Sequence, residues 1–391
     1  MYLRTQKTQS SGVAGLCVKF HRGANLDPKD KIGVTHLVEH ILLHASSPYL
    51  DNIRTANGEF QGETTRSETS FILLCPSEVF KSCAENFLNE IFFFHPSKKD
   101  LEDEKSTVIQ EIREYSHDSI SVFINEALAL AFDERQGHDP IMGDSHTVSS
   151  FSLDDVFSSL KELRKVQNAV CYAVGDDVEF LHKYVEKINT NIILSFGNKE
   201  EGLVSPMFHA LSTEQKKSSD PTISSISFIF PLPDIASRDI IATSMLLTLL
   251  TTNRGFNLKG ELRSVVDGIY DIIVRPLLYG DKCFIQILTN VGGKSASNFV
   301  TMLQQKLRSL SNFPASELEA LAETQYQYVH FRQSLLFDGV QKSIRSFSHM
   351  PEKQESIIEL PSHLDIHIKA NFIELVRSIG EEKNSVYTVQ Q

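Results

Sequence analysis

The chain has 391 residues, 41% of them apolar and 23% charged, which is enough for two domains that each bury their own core. Its formal net charge of -12 excludes a nucleic-acid backbone as the main partner, because such binding needs clustered Lys and Arg to displace counterions. The opening "MYLRTQKTQSSGVAG" lacks the apolar core of a secretory signal, and no later stretch is long and apolar enough for a bilayer span, so the expectation is a cytoplasmic protein with no membrane span.

Along the chain, "GLCVKFHRGA" alternates like a strand, and after the turn "NLDPKDKIG" a helical apolar pattern runs through His36 to His44. "EFQGETTRSETSFILLCP" reads as two short strands ending at Pro76, and "SEVFKSCAENFLNEIFF" as a helix capped by Ser77. "HPSKKDLEDEKSTVIQEIREYSHD" is a long charged helix with Leu101, Val108, Ile112 and Tyr115 along one face. Beyond "GHDPIMGD" come a helix, "SLDDVFSSLKELRK", a strand, "NAVCYAVG", and a helix, "DVEFLHKYVEKINTN". The polar stretch "GNKEEGLVSPMFHALSTEQKKSSDP" has the composition of a linker.

After it the order of elements starts again. "TISSISFIFPLP" is a strand, "SRDIIATSMLLTLLT" a helix, "GIYDIIVRPLLYGDKCFIQILTN" a strand pair, and "SASNFVTMLQQKLRSL" a helix. A long helix, "PASELEALAETQYQYVHFRQSLL", and "HLDIHIKANFIELVRSIG" close the chain. Matching element order in two halves predicts an internal duplication: residues 1–195, a linker at 196–222, and residues 223–391 with the same fold. Long charged helices with short antiparallel strand pairs place the fold in the α+β class, two domains that are each a mostly antiparallel sheet packed with helices. The scattered cysteines, Cys17, Cys75, Cys83, Cys171 and Cys283, form no CxxC pair and are expected to be reduced, buried thiols.

One stretch carries chemistry. In "GVTHLVEHILLH" the residues His36 and His40 lie one helical turn apart on one face, so their imidazoles can point at one ion, with Glu39 in reach of the same point. A catalytic zinc site takes three protein ligands and leaves a fourth position open, so a third ligand must come from elsewhere. The best source is "EKSTVIQEIREY", where Glu104 and Glu111 share a side with Val108 and Tyr115, and a carboxylate on a packed face is costly without a compensating cation. A pair of glutamates on a surface helix would alone mean only solvation, and an isolated H-x-x-E-H recurs by chance.

What surrounds the motif is more specific. A strand ending in a Gly turn leads into it, "VKFHRGANLDPKDKIGVTHLVEHILL"; a turn like G-G-x-x-N-A-x-T follows at "NGEFQGETT", then a Glu-x-Thr strand, "SETSFILLCP". With these features the chain resembles the inverzincins of the pitrilysin, insulin-degrading enzyme and mitochondrial processing peptidase family. The resemblance implies that His36, His40 and Glu111 hold one zinc ion per chain, that Glu104 supports the ligands from behind, and that Glu39 is the general base. It implies substrate-binding roles for Gln61 and Thr64, and it assigns Arg263 and Tyr270 of "LRSVVDGIY", seven residues apart, to holding substrate and stabilising the oxyanion. The departures are Gln61 in place of the family's Asn, Gly62 in place of its Ala, and Asn57 with Gly58 in place of its double glycine.

The expected activity is zinc-dependent endopeptidase cleavage of short or unfolded peptides, of a leader-removing, processing or degrading kind, with the peptide added as a strand to a sheet edge near "SETSFILL". Two such domains make half of the chamber that four-domain relatives enclose, so a homodimer or a heterodimer with a related subunit is expected. The alternative is a non-catalytic or regulatory partner subunit of a heteromeric peptidase, and a plain α+β binding domain ranks below both.

Overall fold

The computed structural model describes residues 1–7, 12–44, 46–132, 141–165, 169–196, 213–216, 222–252, 256–266, 268–269, 271–279, 282–335, 364–381 and 386–390. The strands of the first half are Tyr2–Gln6 (β1), Val13–Phe20 (β2), Glu59–Thr64 (β3), Thr69–Pro76 (β4) and Ala169–Val174 (β5). Those of the second are Thr213–Lys216 (β6), Ile223–Pro231 (β7), Ile272–Tyr279 (β8), Lys282–Gly292 (β9) and Val386–Gln390 (β10). The first sheet runs β1-β5-β2-β4-β3 and the second β6-β10-β7-β9-β8. Numbered from the start of each half, both read first, fifth, second, fourth, third. In both, the first and fifth strands pair parallel and the other neighbours antiparallel. The two halves thus share one strand order and one pattern of strand directions.

Alternation explains how each sheet finds its core. On β2, Ala14, Leu16, Val18 and Phe20 point to one face and join Leu37, Val38, Ile41 and Leu42 of the helix Val34–His44 (α1) and Phe87, Leu88 and Ile91 of Phe80–Phe93 (α3). A short helix, Pro48–Thr55 (α2), lies between them in sequence, and Asn57 and Gly58 follow its C-cap, Ala56. Asn57 has φ 57°, and asparagine tolerates this left-handed conformation, so Asn can stand where the family has glycine. Ser77 begins a short helical turn, Ser77–Val79, and makes no side-chain cap, so α3 starts three residues later than the sequence suggests. Lys98–His117 (α4) starts with a capping box in which Ser97 and Asp100 bond each other's backbone N–H groups.

The next helix, Ser119–Ala131 (α5), is the main departure from the expected division at 195. Packing divides the described residues into two compact units, one holding those within 1–118 and 141–196, the other those within 119–132, 213–335 and 364–390. α5 therefore belongs with the second half. Leu128, Ala131 and Phe132 cover Ile229 of β7 and Phe284 of β9, with the Phe132 and Phe284 rings edge to face at 4.9 Å. The opposite face of that sheet carries the second core, built with Ile240–Thr251, Ala296–Ser309, Ala315–Leu335 and Ile366–Glu381. The stretch expected to be a linker contains β6, a polar edge strand held by β10. All five cysteines are buried and free of disulfides. No helix among the described residues is long and apolar enough to cross a membrane.

Candidate functional site

α1 begins under two constraints. Gly33 takes φ 93°, and a side chain there would overlap the Met142 carbonyl, so only glycine lets the turn close. Asp27, six residues upstream, accepts hydrogen bonds from Gly33 N at 2.9 Å, Thr35 N at 3.4 Å and Thr35 Oγ1 at 2.5 Å. Its carboxylate satisfies amide groups that a helix start leaves unpaired and places negative charge at the positive end of the helix dipole. Burial raises the Asp27 pKa to about 6 against the pull of these donors. The sequence signal for this cap was an Asp inside a turn.

α1 packs on α4 and on β3, and that arrangement brings the motif residues together. His36 and His40 have ring centroids 4.6 Å apart. Glu111 Oε2 lies 3.2 Å from His40 Nε2 and 3.8 Å from His36 Nε2. Ligand atoms 2.0–2.2 Å from a tetrahedral ion sit about 3.4 Å from one another, so these separations suit a zinc-sized cation. The three residues offer ligand atoms that all lie within 4.8 Å of one another. Glu111 Oε2 is buried and lies within reach of both imidazoles, as a ligand atom aimed at a shared cation would be.

Glu104, two turns before Glu111 on α4, is buried behind the pair, with Oε2 3.4 Å from His40 Nδ1. A carboxylate beside Nδ1 favours the charged ring and is placed to influence its orientation, although at 3.4 Å the two atoms are not aligned as a hydrogen bond. Residue types alone leave Glu104 and Glu111 interchangeable as the third ligand, whereas the geometry puts Glu111 between the imidazoles and Glu104 at the back of one. His44 is exposed, its ring 5.6 Å from that of His40, and takes no part in the group.

Glu39 is buried with Oε2 4.0 Å from His36 Nε2, and Thr64 Oγ1 donates to the same oxygen at 3.3 Å. Burial pushes its carboxyl up to about 7, although His40 and Thr64 pull the other way. A carboxyl poised there can both take and return a proton at neutral pH. For His40 burial favours the neutral form, but the flanking Glu104 and Glu111 outweigh it and hold the imidazole at about 9. Burial, reinforced by the charge of His40, lowers His36 to about 4. Bonding to His40 holds Glu111 below the usual carboxylate range.

Gly62 and Thr64 lie on the face of β3 that meets α1, while Gln61 points to the opposite, exposed face. Thr64 therefore touches Glu39, a contact that the sequence pattern, which assigned it to substrate, did not disclose. β4, the "SETSFILL" strand, is paired on both sides, by β2 and β3. On that side of the sheet the open edge among the described residues is β3, one strand further out, and β1 forms the other edge. Arg263 is exposed on the last turn of the helix Leu258–Val265 in the second unit. Tyr270 lies outside the described residues.

Sequence comparison decides the family. Residues 2–145 match the profile described as Insulinase (Peptidase family M16), and residues 150–325 match the Peptidase M16 inactive domain. The chain belongs to the M16 peptidase family. Among curated proteins, none matches this M16 chain significantly. Solved structures do. A protease from Helicobacter pylori has a TM-score of 0.73 at 14% identity, covering 100% of this chain and 96% of its own. The peptidase M16 inactive domain from Pseudomonas fluorescens has a TM-score of 0.78 at 12% identity, covering 99% and 95%. A chain of complex III2 from Candida albicans has a TM-score of 0.69 at 12% identity, covering 99% and 93%. At such identities these structures speak for the two-domain M16 fold alone, and the His36, His40 and Glu111 group of this chain must carry any argument about chemistry.

Proposed function

We propose that this M16 chain is a zinc-dependent endopeptidase acting on short or unfolded peptides. The observation that carries the reading is the convergence of His36, His40 and Glu111 within 4.8 Å of one another, with the buried Glu39 carboxyl beside them. Zinc, when held there, supplies Lewis-acid polarisation of a water and of the scissile carbonyl. Glu39 takes a proton from the attacking water and returns it to the leaving amine. Glu104, beside His40 Nδ1, influences the orientation of that ring. The peptide extends the first sheet along the open edge of β3, where Gln61 offers its amide, and Arg263 and Tyr270 hold the substrate from the second half, as the family resemblance implies. Pairing with a second copy or a related subunit completes the chamber, and leader removal, processing and peptide degradation are the activities within range.

A second reading, a non-catalytic partner subunit, is favoured by the description of the second half's profile as an inactive domain. It accounts less well for His36, Glu39, His40 and Glu111 standing together in the first half. The test is to load the purified chain with zinc, measure metal stoichiometry, and follow cleavage of an unstructured peptide library by mass spectrometry, with a chelator control and Glu39→Gln. Chelator-sensitive cleavage that Glu39→Gln loses while keeping its zinc is expected. Full cleavage by Glu39→Gln would remove it as the base, and absence of bound zinc would favour the partner-subunit reading.

A further inference from the structure

Both oxygens of Glu39 are accounted for by one strand. Oε2 accepts from Thr64 Oγ1 at 3.3 Å, and Thr64 is only 8% exposed. Oε1 rests against the Gly62 backbone, where a methyl group would overlap Oε1 itself and Leu43 Cδ1 and come within 3.0 Å of the carboxyl carbon. Gly62 and Thr64 share the inward face of β3 by strand alternation, so the strand presents a notch and a donor at one spot. The Glu39 and Leu43 atoms in question are the far ends of flexible side chains, so a methyl at 62 can be absorbed by moving the carboxylate without displacing backbone. The related family pattern has Ala at this position, where in this chain a methyl has no room unless Glu39 and Leu43 shift.

We propose that Gly62 and Thr64 are positioning residues that seat the Glu39 carboxylate, and that Thr64 acts on Glu39 and not on the peptide. The proposal rests on reading Glu39 as the base, and its structural half can be tested separately. Thr64→Val keeps the shape and removes the donor, Thr64→Ser keeps the donor, and Gly62→Ala fills the notch. All three should bind zinc with wild-type stoichiometry. Misplacing a reacting group by about 1 Å can cost on the order of 100-fold, so Thr64→Val and Gly62→Ala should each lose kcat on that scale with KM unchanged. Thr64→Ser should return to within a few fold of wild type.

Crystal structures of the chelator-treated variants supply a readout independent of activity. In Gly62→Ala the Glu39 carboxylate should swing off β3 with the strand itself unmoved, and in Thr64→Val it should lose its fixed position. A raised KM with unchanged kcat in Thr64→Val would make Thr64 a substrate contact and overturn the proposal. So would a Glu39 carboxylate that stays in place in both variants. If the wild-type chain alone cleaves nothing, the crystal structures decide whether the two residues seat Glu39, independently of its role as base.

Discussion

Replacing Glu90 with Gln removes an ionisable group from the first core while keeping an acceptor for its partner. Glu90 on α3 is fully buried, accepts a hydrogen bond from Ser47 Oγ at the start of α2, and lies near Arg164, which donates to the carbonyls of Ile91, Glu90 and Phe94. Burial pushes its carboxyl up from 4.5 to about 7, more than Ser47 and Arg164 pull it down. The folded state therefore holds the proton more tightly than the unfolded chain. The contribution is fully present below pH 4.5 and is lost as pH rises through about 7. At 1.36 kcal/mol per pKa unit the loss is at most about 3 kcal/mol. Urea unfolding of the metal-free wild type and Glu90→Gln from pH 4.5 to 8 measures it. Asp27 and Glu39, also raised, contribute equally to both proteins and cancel. The stability difference should move in favour of Glu90→Gln by about 1–3 kcal/mol across that range. Parallel profiles would refute the reasoning and mean that Glu90 titrates as an ordinary carboxylate.

Two further outcomes follow from other parts of the fold. Asp27→Ala should destabilise the metal-free chain by about 1–2 kcal/mol in urea unfolding at neutral pH, the cost of losing a helix cap. It should also weaken zinc binding measured by competition with a chromophoric chelator, because His36 follows the capped Thr35, and unchanged values in both assays would deny the cap its role. Phe132→Ala should cost about 3–5 kcal/mol as a fully buried aromatic, and hydrogen exchange should quicken in β7 and β9 while β4 and β5 keep their protection. Quickening confined to the first sheet would place α5 with the wrong half.

The parts legible in the sequence were those whose signal is local. α1 shows its helical period, β2, β4, β7 and β9 their apolar character, and the two imidazoles their one-turn spacing. Two of the strands that went unread lack such a signal. β1 exposes Tyr2 and is mostly polar beyond Leu3, and β6 reads Thr-Glu-Gln-Lys, so both are strands only because β5 and β10 lend them a parallel ladder from far along the chain. α5 was hidden for the opposite reason, since it is apolar enough to lie under a sheet and follows the charged α4 after a single residue, Asp118. At the site, the motif announces His36, Glu39 and His40, but nothing in the spacing says that Glu111 faces the imidazoles while Glu104 stands behind one. The bond from Thr64 to Glu39 was out of reach, because it depends on which face of β3 turns toward α1.

The excursion of α5 also bears on how the chain could be cut. A fragment ending near residue 195 would carry an apolar helix torn from its seat, and one starting near 223 would bare Ile229 and Phe284 to water. Neither piece, cut at 195 or at 223, is a self-contained module, because a helix that lies early in the chain supplies part of the cover of the second sheet.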